Sequence, residues 1–483
     1  MVDKVVIYIK KNKLLIAILV AAFLLRVYFL YENLFFGWEQ GRDFLKIIDI
    51  LKGDIVLVGP KTDIGGVFHG ALSYYLLIPF YLVSLGNPYI VQVLLIFVNV
   101  FSIVFLFELA KDMFNKSVAL ISSFLLAVSY SSIIYSRWLI HVNLAPAIAI
   151  AAIYFLYKTK RDSKNILLFA LFWGIAFHLA LQMSLIILLL LIPFLFLVKI
   201  RPKRKDIIFS LIILFFFASP FLFFDIKNQG ITRNAVVNYL SEEKETITRS
   251  STFDEFRNEV VDNVFPTNRN MAEIIVITSM VIVLGVSKYR KNSKLVVLLV
   301  LIVPLTFYVA GFKPLRHFYI YMPHFLALLL GLAIYSVYRS KYKVVSFLIV
   351  AAISISNFYT VLERLPGSKA NFIHHSQRTY LKDEISLIDF VYTEANGDNF
   401  SYNYYSIPYW KEEAWVYLFD WYGSRKYSYL PTDKDTSTFY VVYEPDESQP
   451  VYQENWYKGL NNRSKLIKTH KSGKLTAEKR ERL

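Results

Sequence analysis

The sequence predicts an all-α polytopic membrane protein with a small α/β domain at its C-terminal end. Three observations predict it. The 483-residue chain is 55% hydrophobic and 17% aromatic, with a mean hydropathy of +0.43, against about 45–50% apolar residues in an ordinary soluble domain. The excess is gathered into uncharged runs such as "LLIAILVAAFLL" (14–25), "SLIILLLLIPFLFLV" (184–198) and "FLALLLGLAIYSVY" (325–338), and runs of about 18–20 residues span a bilayer as helices. Lysine and arginine, which give the net charge of +16, fall mostly in short loops between the runs. That is the pattern of an orientation signal, so no nucleic-acid partner is expected. Cysteine is absent, which excludes disulfides, thiolate metal sites and cysteine nucleophiles.

About eleven spans follow from the apolar runs, at 14–31, 89–110, 117–135, 143–158, 165–180, 182–198, 207–224, 272–289, 295–311, 318–337 and 343–361. The first run follows "YIKKNK" and lacks an A-x-A-like cleavage site, so it reads as an uncleaved span. The basic loops "KTKRDSK" (158–164), "KIRPKRKD" (199–206), "SKYRKNSK" (287–294), "YRSKYK" (338–343) and the weaker "KDMFNK" (111–116) then share one face with the N-terminus. That face is expected to be cytoplasmic, in a multi-pass protein of the cell membrane. The outer face receives a first external loop at 32–88, the segments 136–142, 225–271 and 312–317, and the tail 362–483. "ALSYYLLIPFYLVSL" (71–85) is apolar but only about 15 residues long, short for a crossing. A crossing there would turn every basic loop outward, so it reads as an interfacial or re-entrant helix. The tail holds two helix-spaced stretches, 382–395 and 412–423, and two strand-like ones, 400–407 and 437–444. The division expected is a transmembrane module at 1–361 and an extracytoplasmic α/β domain at 362–483.

The stretch "FFGWEQGRDF" (35–44) puts Glu39, Arg42 and Asp43 where the chain leaves its first span. Phe44, Ile47, Ile48 and Leu51 follow at helical spacing, with Glu39, Arg42, Asp43 and Lys46 expected on another face, as in a helix lying in the interface. Two acids four residues apart, with an arginine between them, offer a general base near a low-dielectric boundary. The same pattern is also the solvated face of any interfacial helix. A glycine-rich turn, "GDIVLVGPKTDIGG" (53–66), then leads to the short apolar helix with its Tyr74–Tyr75 pair.

This order of first span, acid-bearing helix, Gly-Asp turn and second interfacial helix resembles the first external loop of GT-C-fold membrane glycosyltransferases. The nearest likeness is to the protein O-mannosyltransferases (glycosyltransferase family 39) and the lipid A aminoarabinose transferases. The matching residues are Glu39-Gln40, Arg42 and Gly53-Asp54. The family has Asp followed by Glu where this chain has Glu39 and Gln40. The resemblance implies a GT-C-like architecture over roughly 1–360 and says little about the tail. It also implies transfer of a monosaccharide from a polyprenyl-phosphate carrier to an acceptor hydroxyl on the outer face. The acceptor would be a protein, a glycolipid or a cell-wall glycan. Glu39 is the expected catalytic base, with Asp43 as alternative base or support and Asp63 as a further candidate. "SPFLFFDIKNQG" (219–230) resembles a family stretch at the start of the second outer loop, which implies that Asp225 contacts donor or acceptor.

A polyprenyl-phosphate sugar brings its own leaving group. One base for the acceptor hydroxyl and cations for the departing phosphate suffice, and a single displacement inverts the anomeric centre. The outer-side candidates for the phosphate are Arg42, His69, Arg137, His141, His178, Arg316 and His317, with Lys313 and Gln182 nearby. Arginine suits phosphate through its planar fork. Loop cations also snorkel to headgroups, and a lone histidine in a span is often a packing residue. No His/Asp spacing matches a metal site, and no cofactor is expected. Two other readings compete. A transporter or flippase for a lipid-linked substrate would distribute charges along a pathway through paired halves, whereas here the acids cluster in one outer loop. A non-catalytic scaffold would account for the Glu39-Gln40 departure.

Overall fold

The computed structural model describes residues 2–62, 64–241, 249–310, 314–365 and 379–483. Among these, six helices are long and apolar enough to cross a membrane: Pro88–Met113, His141–Lys158, Arg204–Lys227, Arg290–Ala310, Met322–Arg339 and Lys343–Arg364. Two bent pairs raise the number to eight. Lys116–Val128 turns by 64° into Tyr130–Ser136, and Phe253–Val264 turns by 91° into Arg269–Gly285. The remaining expected spans fall on shorter pieces. Lys13–Val27 and Asn165–Leu179 have 15 residues each, about 22 Å of helix against a hydrocarbon core of about 30 Å. The run at 182–198 breaks after Leu189 and closes in a π turn at Phe194–Val198. The segment 71–85 splits into Leu72–Tyr75 and Ile78–Val83, each far too short to cross.

Local chemistry sets the helix starts. Asn87 accepts from Tyr89 N, Asn115 from Ser117 N and Val118 N, and Asn268 from Met271 N, each satisfying amides that a first turn leaves open. Inside the bundle, Gly331 lets Met322–Arg339 approach Lys116–Val128, since a Cβ there would lie 2.1 Å from Ser122 Oγ. On Arg204–Lys227 the side chains of Phe209, Phe215, Phe216 and Phe223 are exposed, as a lipid-facing helix requires.

The first external loop forms the helix Trp38–Leu51 and a small antiparallel hairpin, β1 (Val58–Lys61) with β2 (Phe68–Gly70). Sequence reasoning gave only a glycine-rich turn there. Gly53 takes φ +109°, a left-handed conformation open to glycine, and Asp54 turns back onto Lys46 at 3.1 Å. The "GD" pair thus ends the helix and reverses the chain.

The tail contains β3 (Ser401–Tyr405), β4 (Thr438–Tyr443), β5 (Ser464–Ser472) and β6 (Leu475–Arg482), in the order β3-β4-β6-β5. β3 and β4 are parallel and the other pairs antiparallel. Leu381–Ala395 packs on β5 and β6. The two expected strands and the helix at 382–395 are present. The helix at 412–423 is Glu413–Leu418 with a π turn at Phe419–Gly423. The β5–β6 hairpin and the Pro450–Asn461 helix carried no expectation; the hairpin's charged sequence and the helix's mixed polar one hid them.

The tail docks on the first external loop. Phe36 N donates to Thr379 O at 3.4 Å and Leu381 N to Leu34 O at 2.9 Å. The Tyr417 hydroxyl donates to Gly86 O at 2.5 Å. Phe44 meets the Tyr417 ring edge-on at 5.0 Å. One hydrophobic cluster runs from Leu15 in the helix Lys13–Val27 to Ala477 in the tail.

Candidate functional site

The Trp38–Leu51 helix starts on Gly37, whose N–H donates to the Gln40 side-chain oxygen at 3.0 Å. Gln40 therefore serves as a buried cap. Glu39 is half-buried in the first turn. Asp43 is 2% exposed, on the same side as buried Phe44 and Ile47. This corrects the expectation that Asp43 shares an outward charged face with Glu39 and Lys46. Position 43 lies one turn from both Glu39 and Ile47, at the border of the two faces, and neighbouring segments cover it.

The partners of Asp43 explain how its carboxylate is buried. Its Oδ1 accepts from Arg42 Nε at 2.9 Å and Nη2 at 2.7 Å. Its Oδ2 lies 3.6 Å from His141 Nδ1, too far for a hydrogen bond. The His141 ring meets His69 of β2 edge-on at 4.9 Å. His317 stands against Trp138, ring centres 5.9 Å apart, close enough to act electrostatically on His69. Burial works against the Arg42 charge, but Asp43, and then Tyr74 and Glu39, hold its pKa above the usual guanidinium value. Burial, and then His141, His317 and Arg42, hold His69 well below the usual imidazole pKa, so it is neutral at pH 7. Asp43 Oδ2, His69 Nδ1 and both ring nitrogens of His141 are sealed from solvent without a hydrogen-bond partner. Four such atoms in one place can each form a hydrogen bond with a polar ligand. Arg42 and Lys411 of the tail each hold a cation against the Trp38 ring, 5.0 and 4.9 Å from its centre.

The other candidates lie elsewhere or do other work. Arg137 donates to Arg26 O at 2.9 Å, Tyr28 O at 2.5 Å, Phe29 O at 3.1 Å and the Asn33 side chain. It closes the end of the helix Lys13–Val27. His178 Nε2 lies 2.8 Å from Phe217 O, and its Nδ1 accepts from Leu72 N at 3.4 Å. It ties two spans to the Leu72–Tyr75 helix. Asp225 Oδ1 accepts from Thr232 N and Arg233 N and caps the helix Ile231–Ser241. Arg316 pairs with Asp262 and lies 3.9 Å from Glu259. Asp63, Lys313 and the Gln182 side chain lie outside the described residues. Among the described residues, no group of three or more His, Asp or Glu side chains is arranged to hold a metal ion.

Sequence reasoning missed Tyr74, Glu259 and Asp262. The signal for the acids was present in "EVVDN" (259–263), with acids at i and i+3 flanking apolar residues. The segment was read as outer loop because its neighbours are so polar.

No protein-family model and no curated protein matches this sequence. Solved structures do match its fold. A crystal structure of ArnT from Cupriavidus metallidurans bound to undecaprenyl phosphate superposes over 96% of this chain and 97% of that one, with a TM-score of 0.63 at 9% identity. The chain has the GT-C fold. The apo form of the same ArnT superposes with a TM-score of 0.64 at 8% identity. The Archaeoglobus fulgidus oligosaccharyltransferase, also a GT-C protein, gives 0.51 at 13% identity, over 84% of this chain and 64% of that one. The GT-C architecture expected from the first external loop therefore holds across nearly the whole chain, tail included.

Proposed function

We propose that this protein is a membrane glycosyltransferase that moves a monosaccharide from a polyprenyl-phosphate carrier to an acceptor hydroxyl at the outer membrane face, with inversion. One observation carries the reading. The acid-bearing helix at the lip of a GT-C bundle closes its Arg42–Asp43 pair onto His69 and His141, leaving polar atoms with unmet hydrogen bonds. The ArnT structure that shares this fold was crystallised with undecaprenyl phosphate, which supports a lipid-phosphate donor.

Glu39 is the base in this reading. It is half-buried, so an acceptor hydroxyl can reach it, whereas Asp43 is sealed and clamped by Arg42. Asp43 is then the group that fixes the Arg42 fork. The Arg42 side chain stays 22% exposed, which leaves part of that fork to meet the phosphate. A neutral His69 suits a hydrogen bond to a sugar or phosphate oxygen better than an ion pair. The base takes the hydroxyl proton as the acceptor oxygen attacks the anomeric carbon, and the polyprenyl phosphate leaves with the bonding electrons. Membranes carrying the protein, supplied with tritiated polyprenyl-phosphate mannose, glucose or galactose, are expected to move label into acceptor with one of them. No transfer from any sugar would sink the reading.

A further inference from the structure

The Arg316–His317 turn is held by groups that this chemistry has not used. Glu259 is fully buried. It accepts from the Ser131 hydroxyl and from Asn263 Nδ2 at 2.7 Å, and lies 3.9 Å from Arg316 Nε. The Tyr135 hydroxyl sits 2.9 Å from Glu259 Oε2 and 3.0 Å from the Arg316 carbonyl, so it bridges the carboxylate to the backbone of the turn. Asp262 pairs with the Arg316 guanidinium and lies 3.6 Å from Arg364 Nη1. Two carboxylates thus balance two guanidinium groups.

This cluster sits where both bent helix pairs break. Ser129, at the first break, donates to Asn263, beside the second. Asn357 accepts from Tyr130 N at 2.8 Å and donates to Val264 O at 3.1 Å, satisfying one backbone group at each break. The two bends and the turn are one hydrogen-bonded unit. Asp262 pairs with the Arg316 guanidinium and Glu259 lies 3.9 Å from its Nε, so this arginine is committed within the protein. It is a good anchor, and the residue after it, His317, stands against Trp138, three residues before the His141 that meets His69.

We propose that Glu259 and Asp262 are positioning residues: they anchor Arg316 so that His317 is presented to the donor site, and this makes the outer helix Arg249–Val264 a determinant of donor binding. The proposal rests on the glycosyltransferase reading for its functional part, while its structural part is measurable without turnover.

The test is histidine footprinting with diethyl pyrocarbonate on membrane-embedded wild type, Glu259→Gln and Asp262→Asn, with His470 as internal reference. His470 lies in the tail, bonded to Ser386 at 3.0 Å. Both variants are expected to raise the His317 modification rate about tenfold, the weight of one charge-assisted hydrogen bond, with His470 unchanged. Asp262→Asn is the milder change and serves if Glu259→Gln fails to fold. An unchanged His317 rate, or a parallel rise at His470, would overturn the proposal, since the acids then hold either nothing or the whole fold. With donor in hand, both variants should raise its KM at nearly constant kcat. A wild type that transfers nothing would end the glycosyltransferase reading while leaving the footprint to judge the anchor.

Discussion

Arg137 and Asp43 show how far single residues could be read. As an outer-loop arginine, Arg137 was a fair phosphate candidate, but its guanidinium is spent on three carbonyls and the Asn33 side chain. Arg137→Gln is therefore expected to lower stability by about 2–4 kcal/mol, since buried carbonyls lose charged donors. The donor KM of the surviving protein should not move. A raised KM at unchanged Tm would instead mark Arg137 as a ligand. The residue types around Asp43 were legible, because an Arg-Asp pair beside a membrane span is unusual. Its burial was not, because the covering groups come from positions 69 and 141, far along the chain. For His178 the sequence left packing and phosphate readings open, and its partners Phe217 O and Leu72 N favour packing.

At the scale of elements, the contact between the tail and the lip helix decides whether the site keeps its shape. Gly41 lies against Glu413–Leu418, and a Cβ there would fall 2.4 Å from Ala414 N. Backbone cannot yield as a side-chain tip can, so Gly41→Ala should loosen the tail. Faster tail cleavage by added protease, with reduced transfer, is the expected outcome. Two buried acids of the tail, Glu384 and Glu444, line a cavity beside Trp38 and Lys411. Burial, and then Glu444, push Glu384 well above the usual carboxylate pKa. Burial lifts Glu444 to about 7, against the Ile407 N–H that accompanies it. Raised pKa values mean that the folded state binds the proton more tightly. The stability from Glu444 is fully present below about pH 4.5 and is lost as pH rises through about 7, roughly 3 kcal/mol in all. Glu444→Gln should flatten the fall in Tm between pH 5 and 7.5, and an unchanged slope would assign it to other groups. The sequence signalled helices and strands by apolar period. It did not signal the charged β5–β6 hairpin, whose strands carry many Lys, Arg and Glu residues among few apolar ones.

For the whole molecule, composition alone carried the polytopic fold, because a bilayer imposes long apolar helices on any chain that crosses it. The expected span 117–135 is a bent pair, and the helix at the expected span 272–289 is preceded across a 91° bend by Phe253–Val264, read as outer loop; both breaks are held by buried polar partners distant in sequence. The basic loops predict the orientation, and the absence of cysteine makes it simple to measure. Ser340→Cys, in an exposed basic loop, should react with a membrane-impermeant maleimide only after permeabilisation, and Ser437→Cys, exposed in the tail, without it. The reverse pattern would invert the topology and place the acid-bearing lip inside the cell. The central claim is that Glu39 is the base of a polyprenyl-phosphate-dependent transfer, and the most direct measurement compares label transfer in membranes holding wild type, Glu39→Gln or Asp43→Asn. The expected result is active wild type, a loss of about 10²–10⁴-fold in Glu39→Gln, and a smaller loss with raised donor KM in Asp43→Asn. Transfer that survives Glu39→Gln but vanishes in Asp43→Asn would contradict the assignment and make Asp43 the base.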